Sequence, residues 1–296
     1  MSNSVISTEK LGKQYGRRWA VENLTMNMPR GSVMAFLGPN GAGKTTTIRM
    51  LQNLVRPDRG SGTVLGLDIT RSGPDIRRLI GYVPERPHMI EWMTIERIQA
   101  FTASFYPTWD GAYARELATR FNLRPESKIK TLSRGEEAKL ALLLALAHRP
   151  ELLILDDATA GIDPGARREI LETIIAHMHQ EGTSIFFATH LVHEVEGLVT
   201  IVAVFNQGHL TRQAPIDELK RSVRRIQFRS DAEIPSPPAG IDILMRKRIG
   251  AIEDLVVECP ALETIESFAN ANHTTADEVS LEDIYLALTA PGRGAS

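Results

Sequence analysis

The stretch Gly38-Pro-Asn-Gly-Ala-Gly-Lys-Thr-Thr46 decides the fold class of this chain. It follows the apolar run Val33-Met-Ala-Phe-Leu37, which predicts a buried strand. It leads into Thr46-Thr-Ile-Arg-Met-Leu51, which predicts a helix. A glycine-rich loop between a strand and a helix is the context that a phosphate-binding loop requires. The sequence therefore predicts an α/β fold that binds a phosphorylated ligand at this loop.

Each part of this loop has a chemical reason to bind phosphate. The glycines let backbone N–H groups curl around an anion, and the helix N-terminus adds its positive dipole end. Lys44 supplies a point charge for the outer phosphates, and the hydroxyl of Thr45 suits a Mg²⁺ ion that bridges them. The residues predicted to bind the nucleotide phosphates are Gly38, Pro39, Asn40, Gly41, Ala42, Gly43, Lys44, Thr45 and Thr46.

Composition sets modest bounds on the function. A length of 296 residues is enough for one large or two smaller domains, and a hydrophobic content of 43% is ordinary for a globular protein. A net charge of −2 does not indicate a surface for polyanions. Cys259 is the only cysteine, so no internal disulfide forms. The polar N-terminal residues do not predict a signal peptide, and the longest apolar run, Leu140 to Ala147, is too short to span a bilayer. Any membrane function would therefore need another chain.

Strand and helix patterns alternate along the first two thirds of the chain. The predicted strands are 5–7, 20–24, 33–37, 60–66, 80–84, 152–155, 184–188 and 200–205, the first two being short. Helical patterns cover 92–123 with an interruption at Pro107, 136–147, and 164 to about 180. Ser133 and Glu136 predict a capping box, and Asp163 followed by Pro164 predicts a second helix start. The alternation predicts a parallel sheet covered by helices on both faces.

The composition changes near Lys220, and a small α+β appendage is predicted after it. Residues 235–238 are rich in proline and predict a loop. Residues 242–246 and 253–258 predict paired strands around a turn at 249–251. A final helix is predicted over 281–288, with Ser280 and Asp283 forming another capping box.

Further short motifs lie before and after the phosphate-binding loop in a recognisable order. They are Leu132-Ser-Arg-Gly-Glu136, Leu152-Leu-Ile-Leu-Asp156-Asp157, Ala160-Gly-Ile-Asp163 and Thr189-His190, with Tyr82-Val-Pro-Glu85 and Tyr15 before them. They are similar, in turn, to the signature, the Walker B strand, the D-loop, the switch histidine, the Q-loop and the adenine-stacking aromatic residue of ABC ATPases. Over about residues 4–218 the chain resembles the ATPase subunits of bacterial ABC-2-type exporters.

The resemblance implies a fold and a domain organisation. The fold would be an α/β P-loop NTPase core of the ABC ATPase type, with an antiparallel β-subdomain and a helical signature subdomain at about residues 88–145. This nucleotide-binding domain would occupy residues 1–219, and residues 220–296 would form a C-terminal α+β accessory domain.

The resemblance also implies ATP hydrolysis with Mg²⁺ and assigns a role to each motif. Asp157, His190 and Glu85 would be catalytic, with Asp157 polarising the attacking water and His190 contacting the γ-phosphate. Thr45, Asp156 and Glu85 would hold Mg²⁺. The remaining nucleotide-binding residues implied are Tyr15, Ser133, Gly135 and Asp163. In this family the signature of one subunit closes over the ATP of another, so a dimer is expected.

Four positions depart from the usual family pattern. Asp157 stands where a glutamate is usual, and a displacement near 1 Å at a catalytic group can cost about a hundredfold in rate. Either the site adapts to the shorter acid, or it turns over slowly. Glu85 replaces glutamine but can still ligate Mg²⁺. Arg134 replaces a signature glycine and adds positive charge near a phosphate, and Ala158 replaces a proline for no reason visible in the sequence.

Three functions are compatible with these motifs. The favoured one is the energy-coupling ATPase of an exporter, in the cytoplasm at the inner face of the membrane, with an ABC-2-type permease and a second ATPase subunit, identical or not. The second is an ABC-type ATPase acting on nucleic acid or ribosomes. The single cassette and the short stretch between Glu85 and Ser133 argue against it, so no nucleic acid partner is expected. The third is a nucleotide-gated module with little turnover, suggested by Asp157.

Overall fold

The computed structural model describes residues 4–229 and 236–290. The chain forms two compact units. The first contains the residues up to Leu191 and Phe205–Leu210, and the second contains Val192–Val204 and the residues from Thr211 onward. Among the described residues, every helix is too short or too polar to cross a membrane.

Within its described residues, the first unit contains two sheets and six α-helices. Its strands are β1 (Ser4–Tyr15), β2 (Arg18–Pro29), β3 (Val33–Leu37), β4 (Arg59–Val64), β5 (Leu67–Asp68), β6 (Ile80–Val83), β7 (Leu152–Asp156) and β8 (Ser184–Thr189). Its helices are α1 (Lys44–Leu51), α2 (Gly73–Leu79), α3 (Ile95–Ala103), α4 (Gly111–Arg120), α5 (Arg134–Leu146) and α6 (Pro164–Glu181).

An antiparallel sheet in the order β2-β1-β4-β5 forms the β-subdomain. The prediction of two short strands near the N-terminus was wrong, because β1 and β2 have 12 residues each. In β2 the buried side chains Leu24, Met26 and Met28 alternate with exposed polar ones. Such a strand has one face in the core and one in water, so its apolar signal is interrupted at every second residue. Register shifts interrupt the regular pairing of β1 with β2.

The parallel sheet holds the predicted core strands in the order β3-β8-β7-β6. Every residue of β3, β7 and β8 is buried, as expected when helices cover both faces. Phe36 of β3 packs against Phe186 of β8 and against Phe205, with ring centroids 5.3 and 4.9 Å apart. Since parallel strands end at one edge, the loops after these strands meet there.

The helix boundaries agree closely with the sequence patterns. The pattern interrupted at Pro107 becomes α3 and α4, and Asp110 caps α4 by accepting bonds from two backbone N–H groups. The capping box of Ser133 and Glu136 is confirmed, and α5 begins directly after Ser133. Asp163 caps α6 as predicted, and Gly182 ends it in the left-handed conformation at φ 68°.

The second unit is built on a four-stranded antiparallel sheet. Its elements are α7 (Val192–Val195), α8 (Ile216–Ser222), β11 (Val223–Arg229), β12 (Asp242–Ile249), β13 (Ile252–Glu258), α9 (Leu262–Ala271), β14 (Ala276–Asp277) and α10 (Leu281–Thr289). Two further strands, β9 (Ile201–Asn206) and β10 (His209–Pro215), cross the division between the units. The sheet order is β12-β13-β11-β14, and an apolar core around Ile226, Leu255 and Phe268 includes the buried Cys259.

The predicted C-terminal hairpin is confirmed as β12 and β13. The cap by Ser280 is confirmed, but the prediction of a full capping box is wrong. The carboxylate of Asp283 accepts its hydrogen bonds from the Ser280 hydroxyl and from Arg225, and not from the Ser280 N–H. Of the predicted loop at 235–238, Pro235 lies outside the described residues. The predicted domain boundary after residue 219 falls within α8 and stays a prediction.

Candidate nucleotide-binding site

The loop between β3 and α1 forms a close-packed cradle with one open side. A Cβ atom at Gly43 would lie 2.1 Å from the carbonyl oxygen of Ala20, and one at Gly38 would lie 2.4 Å from that of Phe205. Both positions therefore require glycine. Gly41 has φ 78° and no neighbouring atom within 4 Å of the place of a Cβ. The loop is therefore open at Gly41, and it leads into the start of α1, where the first backbone N–H groups have no intrahelical partner. The cradle suits an anion.

Lys44 is buried at the base of this cradle. Its side chain is only 5% exposed, and its Nζ donates a hydrogen bond to the carbonyl oxygen of Gly38 at 2.7 Å. The same Nζ lies 3.5 Å from Oδ2 of Asp157. A buried ammonium needs anionic or carbonyl partners, so the Nζ of Lys44 is suited to bind a further anion such as a phosphate.

Asp156 ends β7 as a buried carboxylate, 4% exposed, next to the phosphate loop. Burial raises its pKa, and the hydrogen bond from the Thr45 hydroxyl acts in the opposite direction. The charges of Asp157 and Glu85 also raise this pKa, whereas Lys44 lowers it. Oxygen atoms of Asp156, Thr45 and Glu85 thus belong to one electrostatic cluster, and oxygen ligands of this kind fit Mg²⁺.

Asp157 and His190 form a hydrogen-bonded pair at the ends of β7 and β8. Oδ1 of Asp157 lies 2.8 Å from Nδ1 of His190 and accepts the backbone N–H of His190 at 3.1 Å. Asp157 adopts the left-handed conformation at φ 48°, which aspartate tolerates better than most residues. Its own N–H donates to the carbonyl of Ala188. Asp157 is therefore fixed twice, through its carboxylate by His190 and through its backbone N–H by Ala188.

A second group of predicted site residues lies at the starts of α5 and α6. Ser133 accepts the N–H of Glu136, and the Glu136 carboxylate accepts both the N–H and the hydroxyl of Ser133, which lowers the pKa of Glu136. A Cβ on Gly135 would lie 3.2 Å from Oδ2 of Asp163, so the two helix starts touch. The residues expected to face a second nucleotide are thus grouped together.

Two tyrosines, Tyr15 and Tyr82, are also relevant to nucleotide binding. Tyr15 lies at the end of β1 with half of its surface exposed, leaving a ring face for stacking, and Nζ of Lys13 lies 5.7 Å from the ring centroid. Sequence reasoning missed the role of Tyr82, whose hydroxyl interacts with Asp156. Burial, followed by the charge of Asp156, raises the pKa of Tyr82 to about 12. Only its position three residues before Glu85 hinted at this contact.

The fold and the site together define a P-loop nucleotide-binding ATPase domain. Residues 21–160 match the family model described as ABC transporter. The chain is 33% identical over 225 residues to the bacitracin transport ATP-binding protein of Bacillus licheniformis, covering 75% of this chain and 74% of that one. It is 34% identical over 229 residues to the daunorubicin/doxorubicin resistance ATP-binding protein of Streptomyces peucetius, covering 74% and 67%.

A solved ATP-binding subunit of an ABC transporter has the same architecture. It is 26% identical, with a TM-score of 0.68 over 74% of this chain and 92% of that chain. The chain therefore belongs to the family of ABC transporter ATP-binding subunits, which are ATPases. The family and the α/β P-loop fold expected from the motifs are confirmed.

Proposed function

We propose that this chain binds Mg²⁺ and ATP at the β3–α1 loop and hydrolyses ATP to drive an exporter. The observation that carries the proposal is the convergence of Lys44, Asp157 and His190 beside the phosphate cradle. Relatives whose names refer to bacitracin transport and daunorubicin resistance support the export role.

The residues of the cradle suggest how the nucleotide is held. The loop residues from Gly38 to Thr46 would surround the phosphates, with the ammonium of Lys44 on the outer ones. Tyr15 would stack on the base. Thr45, Asp156 and Glu85 would hold Mg²⁺, which when bound neutralises charge on the β- and γ-phosphates. The γ-phosphate would then replace Asp157 as the anionic partner of Lys44.

In this proposal Asp157 and His190 act on the attacking water. Once released from Lys44, the Asp157 carboxylate accepts a proton from the water molecule that attacks the γ-phosphorus. The bond between the γ-phosphorus and the β–γ bridging oxygen breaks, and ADP leaves with that oxygen. His190 keeps Asp157 in place through Nδ1 and the backbone N–H. Its other ring nitrogen, Nε2, is then available to the γ-phosphate.

A dimer would bring in the second group of residues. Ser133 and Gly135 at the N-terminus of α5, with Asp163 beside them, would close over the nucleotide of a second ATPase subunit. A helix N-terminus is suited to the γ-phosphate of that nucleotide.

An ABC-2-type permease is the proposed membrane partner, at the inner face of the membrane. A cavity of about 330 Å³ lies beside Tyr82 and is lined by Arg77, Met89, Tyr106 and His148, among others. Next to its lining residue Thr102, the exposed rings of Phe101 and Phe105 pack edge to face at 5.1 Å. Because exposed aromatic pairs of this kind are typical of interaction sites, we assign the permease contact to this region.

The test of the proposal is Lys44→Ala. Loss of the ammonium should weaken binding of Mg-ATP at least about tenfold and abolish phosphate release, because the outer phosphates lose their point charge. Nucleotide affinity and phosphate release are measured beside urea unfolding, which shows whether the fold survives. An unaltered affinity and rate would refute the proposed site. A wild-type chain that binds ATP but releases no phosphate would favour the nucleotide-gated module instead.

A further inference from the structure

The side chain of Arg134 contacts a loop of its own chain. This arginine is the first residue of α5, between Ser133 and Gly135. A Cβ built on Gly161 would lie 3.1 Å from Nη1, 3.3 Å from Nη2 and 3.4 Å from Cζ of Arg134. These three guanidinium atoms are the nearest neighbours of that point, so the end of the Arg134 side chain covers the Cβ side of Gly161.

The surroundings leave room for this arrangement. Arg134 lines a cavity of about 360 Å³ together with Ala158, Ala160 and Ile162, which belong to the loop that contains Gly161. Two of these side chains are single methyl groups, and Gly161 has none. The loop 158–162 thus presents a shallow surface on which a planar guanidinium fits. The alanine at 158, which had no explanation in the sequence, belongs to this surface.

The same loop is joined directly to Asp157. The N–H of Ala160 donates to the carbonyl oxygen of Asp157 at 3.0 Å, which closes a tight turn after β7. One residue further along α5, Gly135 approaches Asp163 and Ala166. One helical turn beyond, Lys139 pairs with Glu169 of α6 at 2.5 Å. The contact of Arg134 is therefore the member of this series nearest to Asp157.

We propose that Arg134 is a positioning residue that holds the loop 158–162, and through it Asp157, against the start of α5. This inference rests on the proposed ATPase function. It assigns Arg134 to the loop of its own chain rather than to a nucleotide phosphate. Packing of the long side chain, and not its charge, carries the effect.

Kinetics with two variants separate packing from charge. Arg134→Met keeps a long side chain without charge, and Arg134→Ala removes both. We expect Arg134→Ala to lower kcat for ATP about tenfold with KM nearly unaltered, since Asp157 is misplaced while nucleotide binding is intact. Arg134→Met should retain most of kcat. If both variants lose activity equally, or if KM rises while kcat stays constant, Arg134 acts by charge on a phosphate and the proposal is wrong.

A stability measurement tests the contact without any nucleotide. Gly161→Ala introduces the Cβ that meets the guanidinium, at φ 70°. Gly182→Ala is the matched control, because Gly182 has φ 68° and no atom within 4 Å of a Cβ. The tryptophans at 19, 92 and 109 all lie in the first unit, so their fluorescence in urea reports its unfolding.

We expect Gly161→Ala to raise the unfolding equilibrium constant about twofold more than Gly182→Ala does, because the held guanidinium must shift by a few tenths of an ångström. In the Arg134→Ala background this excess should disappear. If the two glycine variants are equally stable in the wild-type background, the guanidinium is not held on Gly161 and the proposal is overturned. Because this measurement needs no hydrolysis, a wild-type chain without ATPase activity would refute the proposed function and leave the contact still tested.

Discussion

Asp157 shows at the scale of one residue how a shorter acid is accommodated. Its carboxylate reaches Nδ1 and the backbone N–H of His190 and lies near Lys44. These contacts keep the group close to the backbone, on the side of β8. A glutamate at this position would have its carboxylate one methylene further from the backbone. The length of this side chain therefore sets how far the base reaches toward the attacking water.

Asp157→Glu should raise steady-state ATP hydrolysis severalfold. The longer side chain improves hydrogen-bond reach to the nucleophile, and general-base catalysis depends on that reach. The same change should cost about 1 kcal/mol of unfolding free energy, because glutamate is less favoured than aspartate in the left-handed conformation and loses the contact with the N–H of His190. Phosphate release and urea unfolding measure the two effects.

Asp157→Asn is the control for this prediction, since it keeps the size of the side chain and removes its basicity. It should lower hydrolysis at least about tenfold with ATP binding intact. Equal rates for asparagine and aspartate would show that Asp157 is not the base. A heterodimer whose other subunit has glutamate at the equivalent position would then become the preferred arrangement.

The N-terminus of α5 is the element on which the dimer proposal depends. Its capping box satisfies the first N–H groups through Ser133 and Glu136. Ser133→Arg should block ATP-dependent dimerisation while sparing ATP binding by the monomer, because a bulky cation would occupy the place of the other subunit's γ-phosphate. Sedimentation with and without Mg-ATP tests this. Loss of monomer binding would mean that Ser133 serves the nucleotide of its own chain.

The chain offers a matched control for the loss of a cap. Ser280 caps α10 in the second unit through the N–H of Asp283. Ser280→Arg removes a comparable cap, worth about 1 kcal/mol, without touching the proposed nucleotide sites. Dimerisation should persist in this variant. If both arginine variants abolish dimerisation, the effect of Ser133→Arg comes from general destabilisation.

The elements differ in how far the sequence predicts them, for physical reasons. Strands buried on both faces, such as β7 and β8, give continuous apolar runs that local patterns detect. The length of the β1–β2 hairpin was underestimated, because polar residues interrupt the apolar ones in both strands, and over Leu24–Met28 of β2 only alternate residues are apolar. Capping residues predicted helix starts within one or two residues. The contacts of Asp157 with His190 and of Arg134 with Gly161 join segments far apart in sequence, so no local pattern contains them.

At the scale of the whole first unit, two buried histidines link stability to pH. His148 stacks on Tyr106 with ring centroids 4.0 Å apart, and its Nδ1 has no protein hydrogen-bond partner among the described residues. His177 lies between the hydroxyl groups of Tyr113 and Thr183. Burial lowers the pKa of each histidine to about 4, and the charge of Arg149 also lowers that of His177. Both are therefore neutral in the folded protein at pH 7.

The first unit should lose stability as the pH falls from about 6.5 toward 4. An unfolded histidine has a pKa near 6.5 and binds a proton in this window, whereas the folded one does not, so acid favours unfolding. Each histidine should contribute a loss of about 2 kcal/mol of unfolding free energy between pH 7 and pH 5.

His148→Phe should remove about half of this dependence, as measured by tryptophan fluorescence in urea. His179→Phe, at an exposed position on the same helix as His177, should leave it intact. If the wild type, His148→Phe and His179→Phe lose stability identically as the pH falls, burial of His148 does not cause the pH dependence.

At the scale of the whole molecule, the exposed pair Phe101 and Phe105 should determine whether the chain binds its membrane partner. Phe101→Ser with Phe105→Ser removes apolar surface from α3 and the turn after it, far in sequence from Lys44 and Asp157, so basal ATP hydrolysis should stay within about twofold of wild type. When the chain is co-expressed with a candidate ABC-2-type permease, the double variant should no longer co-purify with the membrane fraction, because the proposed contact surface has lost its aromatic anchors. Leu54→Ser removes another exposed apolar side chain of the first unit and should leave co-purification intact.

If the double variant still co-purifies as wild type does, the permease contacts a different surface. If Leu54→Ser disrupts it equally, the interaction depends on general surface hydrophobicity, and the region around Phe101 and Phe105 is not the docking site.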